Sequence, residues 1–367
     1  MTIRRQQDKY QQKCFIRYRA AIASKCFNGT LEAMRHLPTV TLCLLFVFLL
    51  PAAERPTEAQ ERWYRADADI TLFGITIFSR GNVGGGFARI TETSAEPGPD
   101  VRLLFVSGSL PERAHGLNRM GYIEESVSPG EHGRAEYLGF MTASGEESLA
   151  DAKKALHGPA GGAVEFVASR GEIDQTSAHN TVRHLPLPSS ARWTDAPRLK
   201  EAVEEDLAQP GSGGGYADLS HGQRPGTFLY TVLTMVRSPA RVTDGSFVHN
   251  GKLFRLHAVK RADAKAGAQF AEARLMSAAG DAIEMAGLIR NAKTGAETTF
   301  HVWFDRSSPN SLPLRFEFQP KSYLKLVFEA QPAPDPTMDP AMVKAFAEPM
   351  SHAPAAASAA LRTAFRQ

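Results

Sequence analysis

The side chains that could do chemistry are scattered, and their spacing composes no familiar site. His179 and His184 stand five positions apart, whereas two metal ligands on one helix face need an i, i+4 pair, and the residues around them read as loop. Glu131, His132 and Glu136 could gather a divalent cation, but acidic residues beside a loop histidine are equally an ordinary solvated turn. The chain has no G-x-S-x-G elbow, no H-E-x-x-H pair and no phosphate-loop lysine motif. A hydrolase would therefore have to build its site in the stretch 107–226, where His115, His132 and Asp151 are the nearest candidates. The run Gly81-Asn-Val-Gly-Gly-Gly86 resembles a phosphate loop only superficially, since such a loop opens a helix and here a strand follows. It reads as a flexible hairpin. No residue is assigned to catalysis, to a metal or to a cofactor.

The elements that would carry a site are clearest between Thr299 and Glu329. Side chains on a strand alternate between faces, so a half-buried strand alternates apolar with polar. Phe300, Val302 and Phe304 share one face against His301, Trp303 and Asp305. Leu314, Phe316 and Phe318 alternate with Arg315 and Glu317, and Leu324, Leu326 and Phe328 alternate with Tyr323, Lys325 and Glu329. Pro320 suits the turn between the last two strands. If the polar face turns outward, as an antiparallel sheet with one wet face would have it, His301, Asp305, Arg315 and Glu317 are solvated; if inward, they line a cavity. With the polar face outward, Phe300, Phe304, Phe316, Phe318, Leu326 and Phe328 face inward and form either a packed core or a pocket for an apolar ligand.

Composition sets the broad class. Among 367 residues, 43% are hydrophobic, enough for a sizeable core. The net charge of +3 is misleading, because the first 59 positions hold nine of the 42 basic and four of the 39 acidic residues. The remainder carries 33 and 35, a balance of −2 that offers no excess positive charge to a phosphate backbone, so nucleic acid is not an expected partner. Those first 59 residues read as a basic leader with a secretory signal peptide: Val40 to Leu50 is an apolar run of eleven residues, preceded by Arg35 and followed by Pro51-Ala-Ala53. Eleven residues are too few for a membrane span. Cleavage fits after Ala53 or after Ala59, the second preferred for its small residue at Thr57, and translation starts at Met1 or Met34. Cys14, Cys26 and Cys43 all precede either cleavage, leaving an exported, periplasmic chain without disulfide or thiolate chemistry.

Further strands are expected at 64–78, 87–91 and 101–106, and again around the hairpin signal Asn250-Gly251, which accepts the positive φ values of a type I′ turn. Residues 268–276 and 284–289 read as two more. From 107 to 226 the pattern weakens into loops with two amphipathic helices. One spans Glu146 to His157; the other begins at Thr194 or Asp195, with Pro197 just inside and Leu199, Val203 and Leu207 on one stripe. Leu229, Val232, Leu233 and Val236 recur at helical spacing. Residues 331–367 form a Pro/Ala-rich linker and tail with a short helix at Met342, Val343 and Phe346.

The helix around Phe228-Leu-Tyr-Thr-Val-Leu, the hairpin His249-Asn-Gly-Lys-Leu-Phe-Arg-Leu256, and the strands Phe300-His-Val-Trp-Phe-Asp305, Leu312-Pro-Leu-Arg-Phe-Glu317 and Tyr323-Leu-Lys-Leu-Val-Phe328 together resemble the bacterial exported family of domain of unknown function 3108. The likeness covers about 227–330 and, more weakly, 62–92, with 107–226 as an insertion inside a domain of 60–330. It implies a mainly β protein of the cell envelope, an antiparallel curved sheet or barrel-like fold with a few short packing helices. It brings no catalytic residue. Three readings stay open: a non-enzymatic protein that binds an apolar small molecule or an envelope protein, a hydrolase, and a purely structural envelope domain.

Overall fold

A computed structural model describes residues 58–72, 75–93, 99–114, 116–128, 133–142, 163–174, 176–188, 190–209, 213–218, 226–308, 312–321, 324–338 and 340–347. The leader, the expected helix at 146–157 and the alanine-rich tail beyond 347 lie outside these residues. Among the described residues fourteen strands follow one another: β1 (Glu58–Leu72), β2 (Ile75–Thr93), β3 (Asp100–Ser109), β4 (Met120–Ser128), β5 (Arg134–Thr142), β6 (Ala163–Ile173), β7 (Ser177–Pro188), β8 (Gly213–Asp218), β9 (Val242–His249), β10 (Lys252–Ala262), β11 (Ala282–Asn291), β12 (Glu297–Asp305), β13 (Arg315–Lys321) and β14 (Leu324–Gln331). The helices are α1 (Ala196–Leu207), α2 (Phe228–Arg237), α3 (Ala264–Glu272) and α4 (Pro340–Ala347).

All the strands belong to one antiparallel sheet in the order β8-β7-β6-β5-β4-β3-β2-β1-β14-β13-β12-β11-β10-β9. Each strand neighbours its successor except β8 and β9, which end the order, and β1 pairs with β14, a contact that joins two meanders, β1 to β8 and β9 to β14, into one ribbon. The ribbon coils until its far ends approach: a methyl group on Gly215 of β8 would sit 3.5 Å from the Cα of Gly251 in the β9–β10 turn. The fold is therefore mainly β and barrel-like.

Several expectations need correction. The stretch 107–226 is not a loop-and-helix insertion, because β4 to β8 run through it as part of the sheet. Their alternation is blurred because both faces of several strands are covered; β5 buries Ala135, Tyr137, Leu138, Gly139, Phe140 and Thr142 on the two sides together. The glycine run is no hairpin either. β2 passes through it, and between the pairs Ala66↔Gly84 and Ala68↔Arg80 it bulges. Asn82 takes φ 56° there and donates its backbone N–H to the Asp67 carboxylate at 2.6 Å. Residues 268–276 do not form a strand: Asp263 accepts from Ala266 N–H at 3.0 Å and starts α3. The segment after 331 is not wholly a tail, since α4 docks Phe346, 2% exposed, against Trp63, Phe87 and Trp193.

The sheet is covered on two sides. On its outer face, Leu199, Val203 and Leu207 of α1 join Phe346 of α4 and Trp193 over Phe87, Val106, Tyr122, Phe140 and Phe166. Trp193 lies flat on the strands because Gly108 leaves room; a Cβ there would approach the Trp193 side chain to 2.5 Å. On the inner face sits α2, whose sequence FLYTVLTMVR is apolar nearly all round, as a helix enclosed by other elements must be. Met235, Val236, Phe228 and Val232 pack on β9 to β13, and Leu229, Tyr230 and Leu233 on β1 to β3 and β14.

Both ends of α2 are tied to the sheet. The first N–H groups of a helix have no intrahelical partner, and Glu125 of β4, 1% exposed, supplies one. Its carboxylate accepts from Leu229 N–H at 2.8 Å, Tyr230 N–H at 2.9 Å and the Thr227 hydroxyl at 2.5 Å. At the other end, Lys260 donates to the carbonyls of Val236, at 3.0 Å, and Ser238, while Arg237 pairs with Glu92. Replacing Glu125 by Ala would leave two amides and a hydroxyl unpaired in the interior. That change is expected to cost about 3 kcal/mol or more of unfolding free energy in a urea titration, while Thr227→Val, which removes one neutral partner, costs about 1 kcal/mol.

Candidate functional site

Among the described residues, a recess lies where the coiled sheet meets itself. Asn250 and Gly251 adopt φ 50° and 64°, the left-handed pair of a type I′ turn, so the β9–β10 hairpin is tight, as Asn-Gly predicts. Its tip reaches the inner face of the other meander: Val248 and Leu253 pack with Val127, Ala135, Ile173 and Ala178. Tyr137 of β5 fixes the tip, its hydroxyl accepting from Asn250 N–H at 2.9 Å and donating to Asn180 Oδ1 of β7 at 3.3 Å. Burial pushes the Tyr137 hydroxyl up to about 12, so it stays a donor across the physiological range. Next to it, the His249 ring lies 5.4 Å from the Tyr137 ring. Burial, with a smaller contribution from the Lys252 charge, lowers the His249 imidazole to about 4.

Beside this hairpin opens a cleft of about 500 Å³. β7 and β8 form one wall, with Asn180, Val182 and Gly215; the hairpin tip and the β11–β12 turn form the other, with Asn250, Lys252, Leu253, Asn291 and Lys293 among its residues. The Asn291 carboxamide holds the turn by accepting from Lys293 N–H at 2.9 Å and Thr294 N–H at 3.0 Å. Asn250 Oδ1 is buried without a hydrogen-bond partner. The arrangement suits recognition, because it sets amides, two ammonium groups and apolar side chains around a recess. Sequence reading found the turn and missed the recess, whose walls come from strands about 70 and 110 positions apart in the chain.

The polar strip of β12 to β14 faces outward. The Glu284 carboxylate, on β11, is hydrogen-bonded to His301 Nδ1 at 2.7 Å and to Arg261 Nε. Burial opposes ionisation of Glu284, but the hydrogen bonds from Arg261 and His301 outweigh it and hold the carboxyl below its usual range. The His301 ring stacks on Trp303 at 5.9 Å, and the Arg315 guanidinium lies over the same indole at 5.1 Å. Arg315 pairs with Glu317 at 2.6 Å, and Lys325 bridges Glu317 and Asp69 at 3.4 and 3.1 Å. His301, Arg315 and Glu317 thus join one ladder, whose members Arg261, Glu284, Lys325 and Asp69 cross-strand register supplies. Asp305 does not join it. Its carboxylate closes the turn after β12 through the Ser307 amide and hydroxyl, at 2.8 and 2.6 Å. Every charge in the ladder has a partner, which is the behaviour of a structured wet face.

The apolar face points inward, where the chain itself covers most of it. Phe300 and Phe304 are buried in the cluster that includes α2. Phe316 and Phe328 stack at 4.6 Å beside Phe105. Among these six, Phe318 is 36% exposed and Phe316 and Leu326 are half-buried. His179 and His184 lie on β7, five apart, so their side chains leave opposite faces and cannot meet at one ion. His115, His132 and Asp151 lie outside the described residues, as does Glu131; Glu136 pairs with Arg134 at 2.9 Å.

Comparison with known proteins adds little to this geometry. No family model matches the chain, and no curated protein matches it. Among solved structures it is similar to a beta-barrel-like protein of domain of unknown function DUF1849 from Brucella abortus, with 8% identity and a TM-score of 0.38 over 76% of this chain and 97% of that one. At that score the likeness carries no functional argument, and the fold rests on the strand ladder itself. None of the described helices is long and apolar enough to cross a membrane.

Two buried groups give opposite pH responses. Burial raises Glu125 from 4.5 to about 7 against the hydrogen bonds from Thr227, Leu229 and Tyr230, so the folded protein holds a proton that the unfolded chain has released; stability falls as pH rises from 4.5 to 7. His249, lowered from 6.5 to about 4, does the reverse, and its contribution is lost as pH falls from 6.5 to 4. Between 4.5 and 6.5 the two offset each other. In Glu125→Gln the unfolding free energy should therefore climb with pH across that window at up to about 1.4 kcal/mol per unit, and in His249→Gln it should decline at a similar rate. Chemical denaturation at a series of pH values checks both slopes.

Proposed function

We propose that this protein is an exported, non-catalytic binding module of the bacterial cell envelope whose ligand is held at the cleft beside the β9–β10 hairpin. The observation that carries the reading is the occupancy of the interior. With α2 on the phenylalanine face and the hairpin tip against β4 to β7, the chain fills the space that an enclosed apolar ligand would use, and the cleft beside the hairpin offers amide and ammonium groups instead. The resemblance to domain of unknown function 3108 belongs to the same proposal. A screen of small fragments by amide NMR tests it: the resonances of Asn250, Gly251 and the 291–294 turn should respond first, and a screen in which none of them moves would count against the cleft.

A second reading keeps an apolar ligand, favoured by the partial exposure of Phe318 and Leu326 at one end of the inner face. An apolar fluorophore whose binding Phe318→Asp abolishes would support it, and one that does not bind would remove it. Export is supported by the apolar run Val40 to Leu50 and by the confinement of cysteine to positions before it ends. The ladder bears on the cleavage position, because β1 starts pairing at Glu58↔Glu92 and Ala59↔Thr91. Cleavage after Ala59 would remove those two residues from the sheet, whereas cleavage after Ala53 leaves it whole. N-terminal sequencing of periplasmic material is expected to begin at Glu54, and a start at Gln60 would reverse this choice.

A further inference from the structure

The cleft has a chemistry of its own, and resting on the reading of it as the binding site, we infer that it takes a small hydroxylated carboxylate of the uronic-acid class. The first support is the unpartnered Asn250 Oδ1. A buried carbonyl oxygen without a donor costs on the order of 1–3 kcal/mol, and a ligand hydroxyl would relieve that cost. The turn, at φ 50°, and the bond from its N–H to Tyr137 fix the Asn250 backbone, so its side chain leaves from a set position at the cleft.

The second support is the complementary donor opposite it. Asn180 is 6% exposed and uses Oδ1 to accept from Tyr137, which directs its Nδ2 toward the hairpin. A Cβ on Gly251 would lie 3.3 Å from that nitrogen, and one on Gly215 3.9 Å from it, so two glycines let the hairpin tip sit directly beside the amide. One tyrosine hydroxyl thus fixes an acceptor and a donor on facing walls. Neighbouring hydroxyls of a sugar ring, each both donor and acceptor, match such a pair, whereas an apolar ligand would strand both groups.

Charge and surface narrow the class. Lys252 and Lys293 line the cleft, and neither pairs with a carboxylate among the described residues. Arg290, next to Asn291 in the chain, is committed to Glu297. Two uncommitted ammonium groups at one recess favour an anion, and Val182 and Leu253 supply an apolar patch for the C–H face of a ring.

Titration of D-glucuronate into the purified, isotope-labelled protein tests this, with D-glucose and acetate as partial ligands. Glucuronate should move the amides of Asn250, Gly251 and residues 291–294 at millimolar concentration and bind more tightly than either partial ligand. Asn250→Gly keeps the positive φ while removing the carbonyl, and should weaken glucuronate by about tenfold without lowering the thermal midpoint. The Lys252→Gln, Lys293→Gln double variant should weaken it comparably and abolish the salt dependence of binding. Glucuronate that leaves these amides unmoved, or binds Asn250→Gly as tightly as the parent, overturns the assignment. If glucose or acetate alone moves the same amides, the class is wrong and the cleft is still the site. Silence from all three and from the fragment screen sinks both.

Discussion

The position of α2 inside the coiled sheet depends on the Glu125 carboxylate, because a helix that starts in an apolar interior brings unpaired N–H groups with it. Water cannot reach them there, and no side chain at the start of the helix caps them. Glu125 meets that need from a strand more than 100 residues earlier, and its acceptor oxygens face the positive end of the helix dipole. Burial works against the charge, which is why its carboxyl is pushed up to about 7. Much of the core follows from this contact. With α2 anchored, the phenylalanine face of β12 and the small residues of β1 and β2 have something to close upon; the glycine at 245 lets the helix approach β9, where a Cβ would meet Thr231 at 2.7 Å.

The sheet treats its two faces differently along its length. From β2 to β7 helices α1 and α4 cover the outside while α2 and the hairpin cover the inside, so the strands carry apolar residues on both sides. From β11 to β14 much of the outside is wet, and charge is organised by cross-strand register: His301 lies opposite Glu317 and Trp303 opposite Arg315. Surface ion pairs of this kind contribute little each. Their shared effect is to keep charged side chains on the solvent side, so that a one-residue slip in register would bury them.

The cleft is a product of closure. Coiling brings the β9–β10 tip against β7 and β8, and the same tyrosine that secures the contact holds the amides that line the recess. A site made this way contains residues from both meanders and exists only while the ends of the sheet approach each other.

Local physics in the sequence determined much of the architecture. Two-residue alternation from Phe300 to Phe328 specified strands with one apolar face, Asn250-Gly251 specified the tight hairpin, and helical spacing specified α1 and α2. These are short-range effects, readable from neighbouring residues. Other outcomes were decided by contacts distant in the chain. The strands between 107 and 226 were obscured because burial on both faces erases the alternation, and the glycine run became a bulge because Asp67 on the partner strand binds its backbone. Whether the phenylalanine face enclosed a void depended on where α2 came to rest, and that depended on Glu125, a carboxylate that in sequence resembles Glu124 beside it. One faces inward to a helix terminus and the other outward to Lys200, a difference set by strand parity and tertiary closure.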